Sequence, residues 1–340
     1  MKENDFPRYL TNFLSCYLPG QKNVSVNTIA SYRDTFKLLL IFCDDENNIK
    51  PEKITMTKIT KDLIIEFLEW LENKRKCSIS TRNQRLAALH SFFHYVQKES
   101  PENLYEIHKI LSIPNKKNAK PMIPYLTASE LKILLEQPNL KNKEGRRDLV
   151  LMVILYDTAA RVQELVDLRR KDVRLASPSV ITLHGKGNKT RQVPIMEKTK
   201  NLLQKYLEEN EEKTGLAQIE LPLFCNQQHK QFSRWGISYI INKYVDMAKQ
   251  NPNFNINFPV TPHVFRHSKA MHLLQADINL IYIRDFLGHS DVVTTEVYAR
   301  ADSEMKRKAL ENAYVDLGID TIPRWDDDGD LMKWLNSLCE

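Results

Sequence analysis

The stretch "SVITLHGKGNKTRQVPI", residues 179–195, decides the fold class. Val180, Ile181, Thr182 and Leu183 on one side and Val193 and Ile195 on the other are β-formers. Between them "GKGNK" is a basic, glycine-rich turn, so the spacing predicts a hairpin. Around it the apolar period is helical. Residues 146–173, "RRDLVLMVILYDTAARVQELVDLRRKDV", read as a buried helix followed by a helical turn, and helical spacing resumes at 198–212, 234–250, 263–275 and 280–287. The expected class is therefore mainly α with a small β-sheet or hairpin.

Upstream, "SVNTIASYRDTFKLLLIFCDD" places Ile29, Tyr32, Phe36, Leu39 and Leu40 at helical spacing behind an N-cap candidate, Ser25. "TKDLIIEFLEWLENKRK" and "SISTRNQRLAALHSFFHYVQKES" repeat the pattern, which predicts a small helical bundle over residues 1–114. "IPNKKNAKPMIP" breaks it. Each proline disfavours helix in the residue before it, so residues 115–124 read as an extended basic linker. A new helix opens at Thr127, with Glu130 three residues later completing a capping box. The second domain is expected over 125–315. A tail over 316–340 carries an acidic break, "WDDDGD", and an amphipathic segment with Leu331, Trp334, Leu335 and Leu338 on one face.

The chain has 340 residues, 42% hydrophobic and 27% charged, which suits two core-forming domains rather than a disordered polymer. A net charge of +6 leans towards polyanionic partners. The five cysteines (Cys16, Cys43, Cys77, Cys225 and Cys339) are odd in number, widely spaced and free of any C-x-x-C pair. They point to reduced thiols in a cytoplasm, not to a disulfide framework or a cysteine-rich zinc module. The apolar run "LVLMVILY" is too short to span a membrane, and no membrane partner is expected.

"TPHVFRHSKAMH", residues 261–272, gathers His263, His267 and His272 around Arg266. Two histidines four apart share a helical face and suit zinc, whereas His263 and Arg266, three apart, suit a phosphate. Three further basic elements stand out: Arg161 in "TAARVQELVDLR", Lys186 in "HGKGNKTRQVPI", and His289 in "LGHSDVVTTEVYAR", which also supplies Tyr298.

Taken in order, Arg…Lys…His-x-x-Arg…Leu-Gly-His…Tyr resembles the tyrosine recombinases, the phage-integrase family of DNA-breaking and rejoining enzymes. "TAARVQELVDLRRKDV" is similar to the family's first arginine box, "GKGNKTRQVPI" to its lysine hairpin, "TPHVFRHSKAMHLL" to its His-x-x-Arg box, and "LGHSDVVTTEVYAR" to its terminal histidine–tyrosine box. The likeness reaches "SVNTIASYRDTFKLLLIF" and "STRNQRLAALHSFFHYV", which look like the family's SAM-like core-binding domain. It departs in "AAR", where many members have glycine and leucine before the arginine, and at Gln163, where a small residue is common.

The resemblance implies an α+β catalytic domain and a catalytic set of Arg161, Lys186, His263, Arg266, His289 and the nucleophile Tyr298. Glu164 and His267 would support these groups. Neither metal nor ATP is implied, and no metal ligands are assigned. Guanidinium suits the charge of a phosphorane-like transition state because it is planar, bidentate and always protonated. A phenol suits attack and departure because its pKa lies far below that of the alkoxide it replaces. Lys186 would protonate the departing oxygen, and Gly185 and Gly187 would let the backbone approach DNA.

For DNA contact, Thr81, Arg82, Asn83 and Arg85 cluster at a helix start. Lys116, Lys117 and Lys120 of the linker, Lys189 and Arg191 of the hairpin, and Ser233 with Arg234 join them. The two domains would clamp a duplex. The resemblance implies double-stranded DNA recombination sites as partners, a dimer per site and a tetramer in the synapse. It also implies a tail that crosses between protomers, and leaves room for an accessory directionality or co-recombinase protein. Such a protein would be cytoplasmic and nucleoid-associated when bound. Integration or excision of a mobile element is the expected role, with a Xer-like chromosome or plasmid dimer resolvase as the alternative. No arm-binding domain is evident before Phe6, which argues against the large phage-type integrases. A non-catalytic DNA-binding regulator would be expected to lack one of the catalytic groups. A zinc hydrolase lacks a glutamate within its His motif and leaves Arg161, Lys186 and Tyr298 unexplained.

Overall fold

The computed structural model describes residues 5–118, 123–185, 187, 189–210, 219–289 and 292–301. The chain divides into two compact units, with the division after Pro121. Lys120, Lys186 and the whole tail lie outside the described residues.

The first unit is helical: α1 (Asp5–Asn12), continued by a π-helical segment Phe13–Gln21, then α2 (Val26–Asn47), α3 (Lys61–Asn73), α4 (Ile79–Glu99) and α5 (Leu104–Leu111). Ser25 caps α2 by accepting from the Thr28 amide, as its position before the periodic run predicts. The first helical stretch is not foreseen by periodicity, because Pro7 and Pro19 read as breakers. Pro19 sits inside the π segment, where a proline without an N–H is tolerated by the widened ladder. Phe13 is fully buried there and meets Phe36, Phe92 and Tyr95 at ring distances of 6.3, 5.4 and 5.7 Å.

The polar start of α4 is occupied internally. Arg82 is buried, donates to the Pro114 carbonyl (3.2 Å) and faces the Glu72 carboxylate at 3.5 Å. The Asn83 amide clasps the backbone of Lys116 in both directions, at 2.8 and 3.1 Å. Arg85 donates to Ser31 O and Thr35 Oγ1 on α2. The Lys116 ammonium pairs with Glu72 at 2.8 Å. These side chains hold α4 to α2, α3 and the start of the linker, while Lys117 is exposed. Arg82→Leu is therefore expected to lower folding stability by about 2 kcal/mol without any DNA present, since it removes the donor to the Pro114 carbonyl and one of the two cations that face Glu72. Chemical denaturation of the free protein checks this, and an unchanged midpoint would refute it.

The second unit begins with α6 (Ala128–Leu135), whose Thr127–Glu130 capping box is formed, then α7 (Lys143–Asp157) and α8 (Val162–Asp167). A three-stranded antiparallel sheet follows, β1 (Val173–Arg174), β2 (Val180–His184) and β3 (Thr190–Pro194), in the order β1-β2-β3. The β2–β3 hairpin lies where the alternation predicts it, with Ile181 opposite Val193 and Leu183 opposite Arg191. Ile181, Leu183 and Val193 face the core formed with Leu151, Ile154 and Phe265. At the turn, Gly187 has a φ of 75°, a region glycine enters without penalty. Helices α9 (Glu197–Glu209), α10 (Arg234–Ala248), α11 (Pro262–Gln275), α12 (Leu280–Leu287) and α13 (Val293–Ala301) complete the unit. Among the described residues no helix is long and apolar enough to cross a membrane. The fold is thus predominantly helical with a small sheet.

Candidate active site

Three helix ends and one strand assemble the site. Arg161 sits at the N-cap of α8, and its backbone and guanidinium both reach Glu164 three residues on, at 2.8 and 2.7 Å. Its Nη2 leans on the Gly288 carbonyl at 3.3 Å. Gly288 ends α12 in the left-handed conformation, φ 63°, which is why a glycine stands there. Arg266, one turn into α11, is 3% exposed and donates to the carbonyls of Ala159 (2.7 Å) and Leu287 (2.6 Å). Burial, then the charges of Arg161 and Arg191, pull its pKa down to about 10, so it remains a cation at neutral pH.

Ala159 adopts φ 46°, a region that favours glycine. The departure from the family wording at "AAR" therefore places a Cβ where the backbone is strained by about 1 kcal/mol.

Tyr298 on α13 is 3% exposed and packs with Ala159, Ala270, Met271, Leu274, Ile283 and Leu287. Its hydroxyl meets His267 Nδ1 at 2.9 Å. Burial raises the phenol pKa, and the guanidiniums of Arg266 and Arg161 partly oppose that. His267 therefore touches the hydroxyl itself rather than merely buttressing its helix face. Burial, His263 and Arg266 lower the His267 pKa to about 4, so the ring is neutral, and in the tautomer protonated at Nε2 its Nδ1 accepts the phenolic hydrogen. His263 stands exposed one turn earlier, and lost hydration, then Arg266 and Arg161, push its pKa down. His289 bonds Thr295 Oγ1 through Nδ1 at 3.0 Å, with its pKa near 4 from burial and then the arginines. Thr295 carries no mark in the sequence spacing that would single it out.

Glu164 is buried and satisfied on every side. Arg191 on β3 forks onto it with two bonds of 2.9 and 2.8 Å. Burial alone would raise the carboxyl pKa, but the Arg191 pair and the Arg161 contacts hold it below the usual glutamate value. A Cβ on Gly185 would lie 3.2 Å from Glu164 Oε1, so a glycine at the hairpin neck lets the strand close over this carboxylate. Arg161, Gly185, Lys189, Arg191 and His289 border a cleft of about 660 Å³. Arg161, Arg191 and Lys189, with Arg266 behind them, outnumber the carboxylates of Glu164 and Asp285, and leave a net positive floor suited to an anion.

The remaining residues singled out by sequence are placed as follows. The Thr81 hydroxyl pairs with Ser78 at 3.0 Å, and Ser233 caps α10 by accepting from the Gly236 amide at 3.1 Å. Arg234 is exposed at the first position of α10. Gln163 is exposed and bonds Asp167. His272 bonds Tyr156 Oη at 2.8 Å, so His267 and His272 of residues 261–272 serve different partners. Among the described residues no group of three or more His, Cys, Asp or Glu side chains is placed to hold a metal ion.

His267 and His289 stay neutral to about pH 4 when folded, against roughly 6.5 in an unfolded chain. As pH falls the unfolded chain takes these protons first. The protein should therefore keep its full stability above about pH 6.5 and lose it progressively towards about pH 4. Melting temperatures of wild type and the His267→Asn/His289→Asn variant across that range test this. The variant should show the shallower acid slope, and parallel slopes would contradict the assignment.

Residues 124–305 match the Phage integrase family, and residues 10–100 match the Phage integrase, N-terminal SAM-like domain. The chain is 34% identical over 329 residues to a Sinorhizobium fredii protein carrying the name integrase/recombinase y4rC, covering 97% of each chain. It is 30% identical over 301 residues to the tyrosine recombinase XerC of Herpetosiphon aurantiacus, covering 87% of this chain and 91% of that one. A crystal structure of the XerH site-specific recombinase bound to its palindromic difH substrate shares the fold. Its TM-score is 0.67 at 23% identity, over 85% of this chain and 80% of that one. The chain belongs to the phage integrase family, the tyrosine-type site-specific DNA recombinases.

Proposed function

We propose that this protein cuts and rejoins duplex DNA at recombination sites through a 3′-phosphotyrosine link on Tyr298. The observation that carries this reading is that the Tyr298 hydroxyl meets His267 of α11 within reach of the charges of Arg266 and Arg161. The phenolic proton leaves first to His267, whose Nδ1 meets the hydroxyl, and the phenolate oxygen attacks phosphorus. The P–O5′ bond breaks, and the 5′-oxygen takes a proton from Lys186. Arg161 and Arg266 stabilise the oxygens that gain charge, with His263 and His289 as N–H donors. One phosphoester replaces another, so the reverse attack by a 5′-hydroxyl needs neither ATP nor metal. Activity should survive chelation.

We assign DNA contact to the exposed Arg234, Lys189 and Lys117, and to Lys120. Arg82, Asn83 and Arg85 act instead by shaping the face around Thr81. Two protomers per site and four in the synapse, joined by exchange of the tail segment bearing Trp334, complete the reading. An accessory directionality or co-recombinase protein is compatible with it, and a cytoplasmic, nucleoid-associated location follows from such a substrate.

Movement of a mobile element is the role favoured. Its support is the match to the integrase/recombinase relative over 97% of this chain, against 87% for the XerC relative. A Xer-like resolvase is the alternative. Trapping the protein on DNA in cells, mapping the modified peptide and sequencing the attached strands tests both levels. A DNA-linked peptide containing Tyr298 is expected, at element ends for the mobile-element role and at a chromosomal or plasmid dimer site for the other. No protein–DNA adduct on cognate sites would sink the recombinase mechanism.

A further inference from the structure

Arg191 spends both terminal nitrogens on Glu164, at 2.9 Å to Oε1 and 2.8 Å to Oε2, and its side chain is 12% exposed. Its Nε is also buried and has no hydrogen-bond partner. The fork is thus committed to Glu164, and what Arg191 brings to the cleft it helps to line is mainly its charge. Glu164 in turn receives Arg161 through one guanidinium nitrogen and one backbone N–H only. Two carboxylate oxygens have about four acceptor positions, and these four bonds fill them.

We infer that Arg191 is a positioning residue whose work is to saturate Glu164, so that Arg161 cannot fork onto that carboxylate and keeps donors free for a phosphate. The preference of guanidinium for bidentate pairing with carboxylate is strong, and a half-filled Glu164 three residues away would capture Arg161. With Arg191 in place, Arg161 gives Glu164 a single Nη1 bond, while its Nη2 makes only a long 3.3 Å contact to Gly288 O. The approach is tight, because a Cβ on Gly288 would lie 3.1 Å from Arg191 Cδ. The two glycines that flank the cleft, Gly185 and Gly288, thus admit one carboxylate and its second arginine beneath the first. Spacing does not announce this role. Arg191 reads from sequence as one more basic residue of the hairpin, and only the fold aims it away from solvent.

The inference rests on Arg161 acting on the scissile phosphate, and its test is built so that the two can fail separately. Arg191→Gln should slow formation of the covalent DNA adduct by roughly 10²-fold, the order expected when one oxyanion-stabilising donor is withdrawn. Binding to the same DNA should change by less than about threefold, because Arg191 is mostly buried and its fork stays on Glu164. Adding Glu164→Gln should then restore adduct formation at least about tenfold over Arg191→Gln alone, because a neutral amide no longer captures Arg161. Two independent structural lesions would compound instead. A double variant no faster than Arg191→Gln would overturn the inference, as would wild-type rate in Arg191→Gln. If wild type itself forms no adduct, the phosphate reading fails, and the crystal structure of Arg191→Gln still decides the inference. Arg161 should then be found with both terminal nitrogens on Glu164, and an unmoved Arg161 refutes it.

Discussion

Tyr298→Phe should reduce covalent protein–DNA adduct from its wild-type level to background, a fall of more than about 10⁴-fold, because no other hydroxyl takes its place as nucleophile. The loss should be confined to chemistry. Tyr298 lies among Ala159, Ala270, Met271, Leu274, Ile283 and Leu287, and a phenylalanine ring fills the same space. The variant forfeits one bond to His267, worth about 1 kcal/mol or less, so its melting temperature should stay close to that of wild type. His267 Nδ1 is then left beside an apolar edge, a cost its neutral ring keeps small. Binding to duplex recombination sites should be unchanged, since the hydroxyl is buried. Gel separation under denaturing conditions, with radiolabel at the 5′ end of the cleaved strand, which stays on the tyrosine-linked fragment, reads the adduct directly. Residual adduct at even one-hundredth of wild type would move the nucleophile to another residue.

Much of the fold was legible in the sequence because its elements announce themselves locally. The alternation around "GKGNK" and the caps at Ser25 and Thr127 are short-range features that the tertiary structure had no reason to override. The segment Asp5–Gln21 was not legible. Pro7 and Pro19 argue against helix locally, and packing of Phe6 and Phe13 into the core outweighs that. The site was legible as a set of residue types in order, and much less as a set of partnerships. Nothing in the spacing distinguishes Arg191, which serves Glu164, from Lys189, two residues before it and exposed. Nothing separates Arg82 and Arg85, engaged within the first unit, from arginines free to meet phosphate. Those distinctions depend on which side chains the fold brings into hydrogen-bond reach, and partners 27, 32 and 54 positions apart share no local pattern. The His267–Tyr298 contact, thirty-one residues apart, is of the same kind.

Arg266→Lys should lose both activity and stability, and the two losses have separate causes. The guanidinium is a bracket inside the domain, joining the Ala159 carbonyl at the end of α7 to the Leu287 carbonyl at the end of α12. Those two carbonyls lie beside Arg161 and Gly288 in the chain, so the bracket fixes the spacing of the cleft's two walls. A lysine carries one nitrogen on a flexible stem and cannot hold two carbonyls while facing a phosphate. At 3% exposure, the acceptor left unpaired has no water to turn to. Folding stability should therefore fall by about 2–4 kcal/mol in the absence of DNA, read by chemical denaturation. Adduct formation should fall by roughly 10³-fold or more at a temperature where the variant is fully folded, because a guanidinium donor is lost and Gly288, on whose carbonyl Arg161 rests, loses the anchor at its neighbour Leu287. If Arg266→Lys keeps wild-type adduct formation while losing stability, Arg266 is a structural bracket only. The charge on the transition state must then be carried by Arg161 alone.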